Sequence, residues 1–367
     1  MDDAWLRFWG PDPRPWLRTS REPSTRWRCL AELDGASAAQ VQQARRAAVA
    51  DGAVGRLIER LPDWRAGLGG AGHESPTCGP NLLNLLAELG VAAGDDGRVE
   101  RLLEEMLEQQ DEAGRFLSFG PAPGRTTPTW GAVACDTHAV TEVLVRFGRA
   151  DDPRVERALE YMGATLSTTP QGAGWECTPH TVTGWRGPGR RRDLCPQVTL
   201  EALRTFARLP EDRRPAGLTE AARTPLEVWR RRSSEHPHMF GHGVGFKTIK
   251  WPPVWYGVWM VLDTVGRYPQ LWSPSSAAVE DRRSVAELVA CLTAYNTAAD
   301  GTVTPSSCYR GFGDFSFGRK QQPSPIATAM TAGVARRFSA IADDVEAIDV
   351  LALASSRGSP QPVGPRR

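Results

Sequence analysis

The chain has 367 residues, 24% of them charged, and a formal net charge of +1. This length can bury a large core in one domain or in two. The balanced charge argues against the basic surface that nucleic acids and anionic membranes attract, so we expect no nucleic-acid partner.

Targeting and membrane segments are not expected. The N-terminus has Asp2 and Asp3 where a secretory signal carries basic residues, and no apolar segment follows. The longest apolar runs, such as residues 258–265, are too short to span a bilayer. The seven cysteines are odd in number and widely spread, unlike a secreted disulfide scaffold. The sequence therefore predicts a cytoplasmic protein with no integral membrane segment.

Residues 1–70 predict a short helical N-terminal extension. Residues 36–50 have high helix propensity, with Ser37 as the expected N-cap, and residues 55–61 predict a second short helix. The glycine-rich stretch 67–72 marks the boundary with the next domain.

Residues 71–345 repeat a pattern of helix, short linker, helix and glycine-rich loop. The first helix of each pair is mostly apolar, whereas the second has a charged face. Such pairs stack as an open solenoid or close into a toroid, and burial of the apolar first helices favours closure. We therefore predict an all-α fold, an α/α toroid of repeated helix pairs. Residues 346–367 form a C-terminal end with a disordered tail. The predicted helices span residues 81–89, 97–110, 137–147, 152–161, 198–209, 219–231, 251–263, 278–292 and 325–338.

Several segments carry a family resemblance that extends over nearly the whole chain. They are residues 24–30, 135–137, 152–155, 174–177 and 250–256. With the recurring glycine-rich loops, they resemble the terpenoid cyclase and protein prenyltransferase superfamily, most closely bacterial squalene-cyclase-like and prenyltransferase-like proteins. The resemblance implies an α/α toroid around a deep apolar cavity. It also implies an enzyme of isoprenoid or polyketide-type natural product biosynthesis.

The chain departs from that family at its acid motif. Class II terpene cyclases protonate their substrates with an Asp-x-Asp-Asp motif, and the nearest match here is Ala134-Cys-Asp-Thr137. Asp-rich magnesium motifs of class I enzymes are not convincingly placed. Cyclisation by the usual motifs is therefore not predicted, and the expected activity is cyclase-like or transferase-like without the intact motif.

Three cysteines occupy matching positions. Cys78, Cys135 and Cys195 each open a helical stretch, about 60 residues apart. Equivalent positions in neighbouring helix pairs would place the three thiols at the same end, and Cys177 closes a loop expected there. Four thiolates suit tetrahedral zinc or, alternatively, an iron–sulfur cluster. We also expect the helix N-termini to lower the pKa of these thiols. Close packing of small side chains is the structural alternative.

Asp136, His138 and His180 accompany these cysteines. Asp136 is predicted as an N-cap or, in a catalytic interpretation, as a general acid or metal ligand facing the cavity. His138 and His180 are close in sequence to Cys135 and Cys177 and are alternative metal ligands. We retain Asp136 and His138 as candidate catalytic residues.

The segment 236–251 contains three histidines and two lysines among glycines. As a rim loop, it would place His242 to transfer a proton, and Lys247 and Lys250 to bind an anionic end of the substrate. Arg319 and Lys320 would form the opposite rim. The alternative interpretation is a solvated connector.

Aromatic residues follow in the predicted helix 251–263. A spacing of four residues places Trp251, Trp255 and Trp259 on one helix face, with Tyr256 beside them. Facing inward, they would form an apolar substrate pocket able to stabilise a cation. Facing the second helix layer, they would be ordinary core.

Two functions remain open. The first is an enzyme that acts on a largely apolar, anion-bearing small molecule in an aromatic cavity, with a cysteine-bound metal. The second is a non-catalytic toroid that binds a lipid-like ligand or a partner, with structural cysteines. A variant of the first uses Asp136 as an acid without any metal.

Overall fold

The computed structural model describes residues 3–66, 73–120, 127–185, 192–234 and 239–353. This part of the chain is mostly helical, so the predicted all-α fold class is confirmed at the level of helix content. Ring closure stays a prediction. None of the described helices is both long enough and apolar enough to cross a membrane.

The α-helices are, in chain order, α1 (Leu6–Trp9), α2 (Arg14–Arg18), α3 (Pro23–Arg28), α4 (Ala38–Val49), α5 (Gly52–Ile58), α6 (Gly79–Glu88), α7 (Gly97–Glu108), α8 (Ala134–Arg146), α9 (Pro153–Ala164), α10 (Pro196–Ala207), α11 (Leu218–Arg230), α12 (Val244–Lys247), α13 (Val258–Val265), α14 (Val279–Asn296), α15 (Pro325–Arg336), α16 (Ala342–Glu346) and α17 (Val350–Leu353). The short strands are β1 (Ser118–Gly120), β2 (Thr129–Gly131), β3 (Ser167–Thr169), β4 (Gly172–Gly174), β5 (Lys250–Trp251) and β6 (Ser307–Cys308).

Within the described residues, the strands form three two-stranded ladders, in stretches for which no strand was predicted. β1 pairs with β2, and β3 with β4, both antiparallel, whereas β5 and β6 are parallel. Strands of two or three residues are too short for an alternating pattern to be visible in the sequence.

Helix starts with local signals lie where the sequence predicts them. Ser37 caps α4 in a reciprocal arrangement, because its hydroxyl accepts from the Gln40 amide while the Gln40 side chain accepts from the Ser37 amide. Asp152 caps α9 by accepting from the amide of Arg154 at 2.8 Å, and Pro153 takes the first helical position.

The helix predicted over residues 251–263 is confirmed from residue 258 onward, whereas residues 251–257 are not helical. Trp251 belongs to β5, the Trp251–Pro252 peptide bond is cis, and α13 begins only after Gly257. A residue that precedes proline is disfavoured in the helical conformation, so Pro252 and Pro253 keep Trp251 and Pro252 out of the helix. Trp251 and Trp259 therefore do not share a helix face.

The chain forms two compact units. Among the described residues, unit 1 contains residues 3–54, 229–234 and 241–353, and unit 2 contains residues 55–228 and 239–240, apart from the gaps given above. Residues 3–54 thus group with residues 241–353, and the boundaries at residues 70 and 346 stay predictions. The glycine-rich stretch 67–72 and the predicted tail from Ser355 lie outside the described residues.

Unit 2 is organised around α8. This helix packs against α6, α9 and α10, and its residues 137–145 are all buried. Glu142 of α8 accepts two hydrogen bonds of 2.7 Å from the Arg204 guanidinium of α10, and the two side chains are 2% and 6% exposed. Burial alone would raise the pKa of Glu142, but Arg204 outweighs it and holds that pKa below its usual range. A bidentate ion pair thus joins α8 to α10.

Replacing Arg204 by Met is expected to lower the free energy of unfolding by about 3 kcal/mol, because buried Glu142 loses both short hydrogen bonds and keeps the more distant Arg208, at 3.8 Å. Urea denaturation at neutral pH measures the loss. The double variant Glu142→Leu, Arg204→Met removes both charges and is expected to recover most of it. A double variant as unstable as the single one would mean that side-chain packing, and not charge, dominates at this position.

Candidate functional site

The cysteines of unit 2 lie at helix starts. Cys78 and Cys195 are the N-cap residues of α6 and α10, and Cys135 is the second residue of α8, which packs between them. Cys135 is close enough to Cys195 and Cys177 for their charges to interact. Asp136 is likewise close enough to Cys78 for its charge to raise the pKa of that thiol. Side chains distant in sequence therefore gather in one region of the unit.

Burial raises the pKa of these thiols, contrary to the expected lowering. The pKa of Cys195 rises to about 12, and those of Cys78 and Cys135 also rise, in each case chiefly through loss of hydration. Backbone amides at the start of α10 partly stabilise a Cys195 thiolate, but their effect is smaller than that of burial. The thiols are thus protonated at neutral pH unless a metal displaces the proton.

One set of potential ligands converges in unit 2. The donor atoms of His73, Cys135 and Asp136 all lie within 4.8 Å of one another. Tetrahedral zinc, with bonds of about 2.0–2.3 Å, holds its ligand atoms roughly 3.3–3.8 Å apart, so these side chains need to close by only about 1 Å. Of the four predicted cysteine ligands, Cys135 belongs to this set within the described part of the chain. The other three are Cys78, Cys177 and Cys195.

His73 is absent from the sequence-based prediction. It follows the glycine-rich stretch and precedes α6, and no regular spacing connects it to Cys135. A histidine shortly before the first of three matching cysteines was the available signal. The sequence alone does not show that the segment before α6 lies beside the start of α8.

Asp136 is not an N-cap, so that interpretation is wrong. Val133 occupies the N-cap position of α8, and Asp136 lies in the first helical turn with its side chain partly exposed. The hydroxyl of Ser118, at the start of β1, donates a hydrogen bond to its carboxylate. Hydrogen bonding of this kind orients a carboxylate ligand.

The two histidines predicted here are largely enclosed. His138 is 1% exposed, its Nδ1 lies 3.2 Å from the Val198 carbonyl oxygen, and burial lowers its pKa to about 4. His180 Nδ1 accepts from the amides of Val182 and Thr183 at 3.3 and 3.2 Å, and burial lowers its pKa as well. Both rings are therefore neutral at physiological pH. Their roles as catalyst or ligand stay predictions.

Glu201 is a buried acid that the sequence-based prediction missed. It lies in α10, 3% exposed; its Oε1 accepts from Gln197 Nε2 at 2.8 Å, and its Oε2 has no hydrogen-bond partner among the described residues. Burial and the nearby Glu142 raise its pKa to about 8. The available signal in the sequence was the pair Gln197 and Glu201, which are four residues apart in α10.

In unit 1, four of the six residues predicted to bind substrate line one cavity. This cavity of about 160 Å³ is also lined by Tyr309. The Lys250 ammonium lies 3.8 Å from the centre of the Tyr309 ring, a cation–π contact. The four residues are Lys250, Trp255, Tyr256 and Trp259.

Trp251 and Lys247 lie elsewhere in unit 1. Trp251 is fully buried and stacks on Phe317, with ring centres 6.0 Å apart, so it is core. Lys247 is 2% exposed, with its ammonium 5.3 Å from the centre of the Tyr295 ring.

The remaining predicted rim residues of unit 1 differ in their surroundings. His242 packs against aromatic side chains, whereas the other two are exposed. His242 Nε2 lies 3.0 Å from the Tyr256 hydroxyl oxygen, and its ring packs edge-on against Phe246. Arg319 and Lys320 are exposed. His236 and His238 lie outside the described residues.

No protein-family model matches the chain, and no curated protein matches it. The likeness to terpenoid cyclases and prenyltransferases therefore remains a resemblance, and function is argued from the sites themselves.

Replacing Glu201 by Gln is expected to change how stability depends on pH. The pKa of Glu201 is near 4.5 in the unfolded chain and about 8 in the folded protein. The stability contributed by the protonated acid is thus complete below pH 4.5 and is lost as the pH rises through 8. Between about pH 5 and pH 9, the variant should gain roughly 3–4 kcal/mol over the wild type.

Urea denaturation across this pH range measures the effect, with Glu211→Gln, which changes an exposed carboxylate, as the control. Parallel curves for Glu201→Gln and the wild type would show that Glu201 is already ionised in the folded protein.

Proposed function

We propose that the chain is a metal-dependent enzyme in which His73, Cys135 and Asp136 bind one divalent transition metal ion. The convergence of their three donor atoms within 4.8 Å carries the proposal. Three protein ligands that include nitrogen, sulfur and oxygen suit zinc, with the fourth position open to a reacting group. An iron–sulfur cluster is less well matched, since its ligands are chiefly thiolates.

The surroundings of these three ligands, the His73–Cys135–Asp136 triad, fit a bound cation. Ser118 holds the Asp136 carboxylate by a hydrogen bond, and the region contains protonated thiols that can release protons to a metal. A bound zinc ion would supply Lewis-acid chemistry at its open position. Glu201 holds a proton in the same unit at neutral pH, and His138 stays neutral.

For the substrate, we propose a largely apolar small molecule with an anionic group, of isoprenoid or polyketide type. The aromatic cavity of unit 1, with the Lys250 ammonium beside it, supports this class. The proposal extends to an α/α toroid related to the terpenoid cyclases and prenyltransferases, and to a cytoplasmic location. The helical pairs and the family resemblance support the toroid, and the free cysteines support the location.

The second candidate is a non-catalytic protein that binds a lipid-like ligand or a partner. The observation in its favour is that Cys78 and Cys195 are each 3% exposed and protonated. Buried neutral thiols of this kind serve as small core residues.

Protein purified without chelators is expected to contain about one zinc ion per chain by elemental analysis. Loss of an outer-shell partner of a metal ligand typically weakens binding about 10–100-fold, so Cys135→Ser or Asp136→Asn should weaken zinc binding by more than about 100-fold. Competition with a chromophoric chelator measures the affinity, and circular dichroism checks that the variants fold.

Cys78→Ser is the matched control, because Cys78 starts a neighbouring helix without belonging to the triad. Equal loss of zinc in the Cys78 and Cys135 variants would instead support the predicted four-cysteine site. Absence of zinc and cobalt binding in the wild type would contradict the metal proposal and favour Asp136 as an acid or the non-catalytic candidate.

A further inference from the structure

One face of α14 in unit 1 carries a row of polar side chains. Glu287, Cys291 and Tyr295 are spaced four residues apart and therefore lie on the same side of the helix. Cys291 is fully buried and Tyr295 is 5% exposed. The hydroxyl of Tyr295 is buried and has no hydrogen-bond partner within the described part of the chain.

Two cations face this row, but the row contains a single carboxylate. Arg232 lies 3.6 Å from the Glu287 carboxylate and stacks over Trp229 at 3.9 Å. Glu287 also accepts from the indole of Trp229 at 2.8 Å and pairs with Arg283 at 3.5 Å. The Glu287 carboxylate is thus bound by these three side chains at one end of the row.

Lys247 is the second cation, and it is fixed by its backbone. Asn296 at the end of α14 donates to the Lys247 carbonyl oxygen at 2.9 Å and accepts from the Ile249 amide at 2.8 Å. This clamp directs the Lys247 side chain along α14, where its ammonium lies 5.3 Å from the centre of the Tyr295 ring.

The Lys247 ammonium has no anionic partner among the described residues, and the Tyr295 hydroxyl has no hydrogen-bond partner there. Within the described residues, Lys247 makes no ion pair and no side-chain hydrogen bond, although it is only 2% exposed. An uncompensated buried charge is strongly unfavourable, and so is a buried hydroxyl without a partner. Burial accordingly lowers the pKa of Lys247. An anionic oxygen is the chemical group that satisfies both donors at once.

We propose that Lys247 and the Tyr295 hydroxyl bind an anionic oxygen of a small ligand, a carboxylate or a phosphate, within unit 1. This site is separate from the cavity beside Lys250, because Lys247 does not line that cavity. It is also independent of the proposed metal centre, so each proposal can fail without the other.

The test measures the thermal unfolding midpoint of the full chain at neutral pH and constant ionic strength. Inorganic phosphate and acetate replace chloride in separate titrations. The wild type is expected to show a saturable rise in midpoint, since an anion that binds the folded state stabilises it. A rise with phosphate alone assigns a phosphate-bearing ligand, and a rise with acetate assigns a carboxylate.

Lys247→Met should abolish the saturable rise, while its midpoint without added anion stays equal to or above that of the wild type. Tyr295→Phe should weaken the apparent affinity about tenfold, the effect of one hydrogen bond to a charged group. Arg46→Met, which removes an exposed cation of α4 to which no role is assigned, should behave as the wild type does. The expected results are the same after zinc has been stripped.

Two outcomes overturn the proposal. One is a Lys247→Met variant that keeps the wild-type anion response. The other is a wild type whose midpoint responds to neither anion, which would show that Lys247 is a neutral amine that needs no partner.

Discussion

Burial of ionisable side chains between packed helices is the constraint on which both candidate sites depend. In unit 2, the Glu142–Arg204 pair satisfies its charges internally, whereas Glu201 and the thiols of Cys78 and Cys195 stay neutral by keeping their protons. Groups that hold protons only because they are buried become anionic when a cation approaches. In unit 1, Lys247 is instead a buried cation that has no ion-pair partner among the described residues. The interior of unit 2 is therefore suited to bind a cation, and the interior of unit 1 is suited to bind an anion.

The sequence predicted those parts of the fold that depend on neighbouring residues. The Ser37 capping box and the Asp152–Pro153 helix start are complete within four residues, and the structure shows both. The pattern of apolar first helices and charged second helices likewise predicted the helical content. The prediction was wrong at Trp251, where aromatic spacing was given more weight than Pro252. The proline pair is the stronger local signal, because each residue that precedes a proline is disfavoured in the helical conformation.

The candidate sites were predictable only in part, because they depend on contacts between distant segments. Cys135 and Asp136 could be identified because they open a helix that matches two others. His73 reaches them from before α6, and Glu201 becomes an unusual acid only through Glu142 on another helix. The expected lowering of thiol pKa was wrong for a related reason. The influence of a helix N-terminus is local, whereas dehydration depends on everything packed around the sulfur atom.

The triad also bears on which role Asp136 plays. The family resemblance suggested that Asp136 is a remnant of an acid motif, and a general acid must hold a proton before it can donate one. A carboxyl group that coordinates a divalent cation has released that proton. The two roles exclude each other at the same step of a reaction. Asp136 lies beside two other potential ligands, and the Ser118 hydroxyl orients its carboxylate, so its position supports the proposed metal-ligand role. For the proposed reaction, a proton is better held by Glu201, whose burial raises its pKa to about 8.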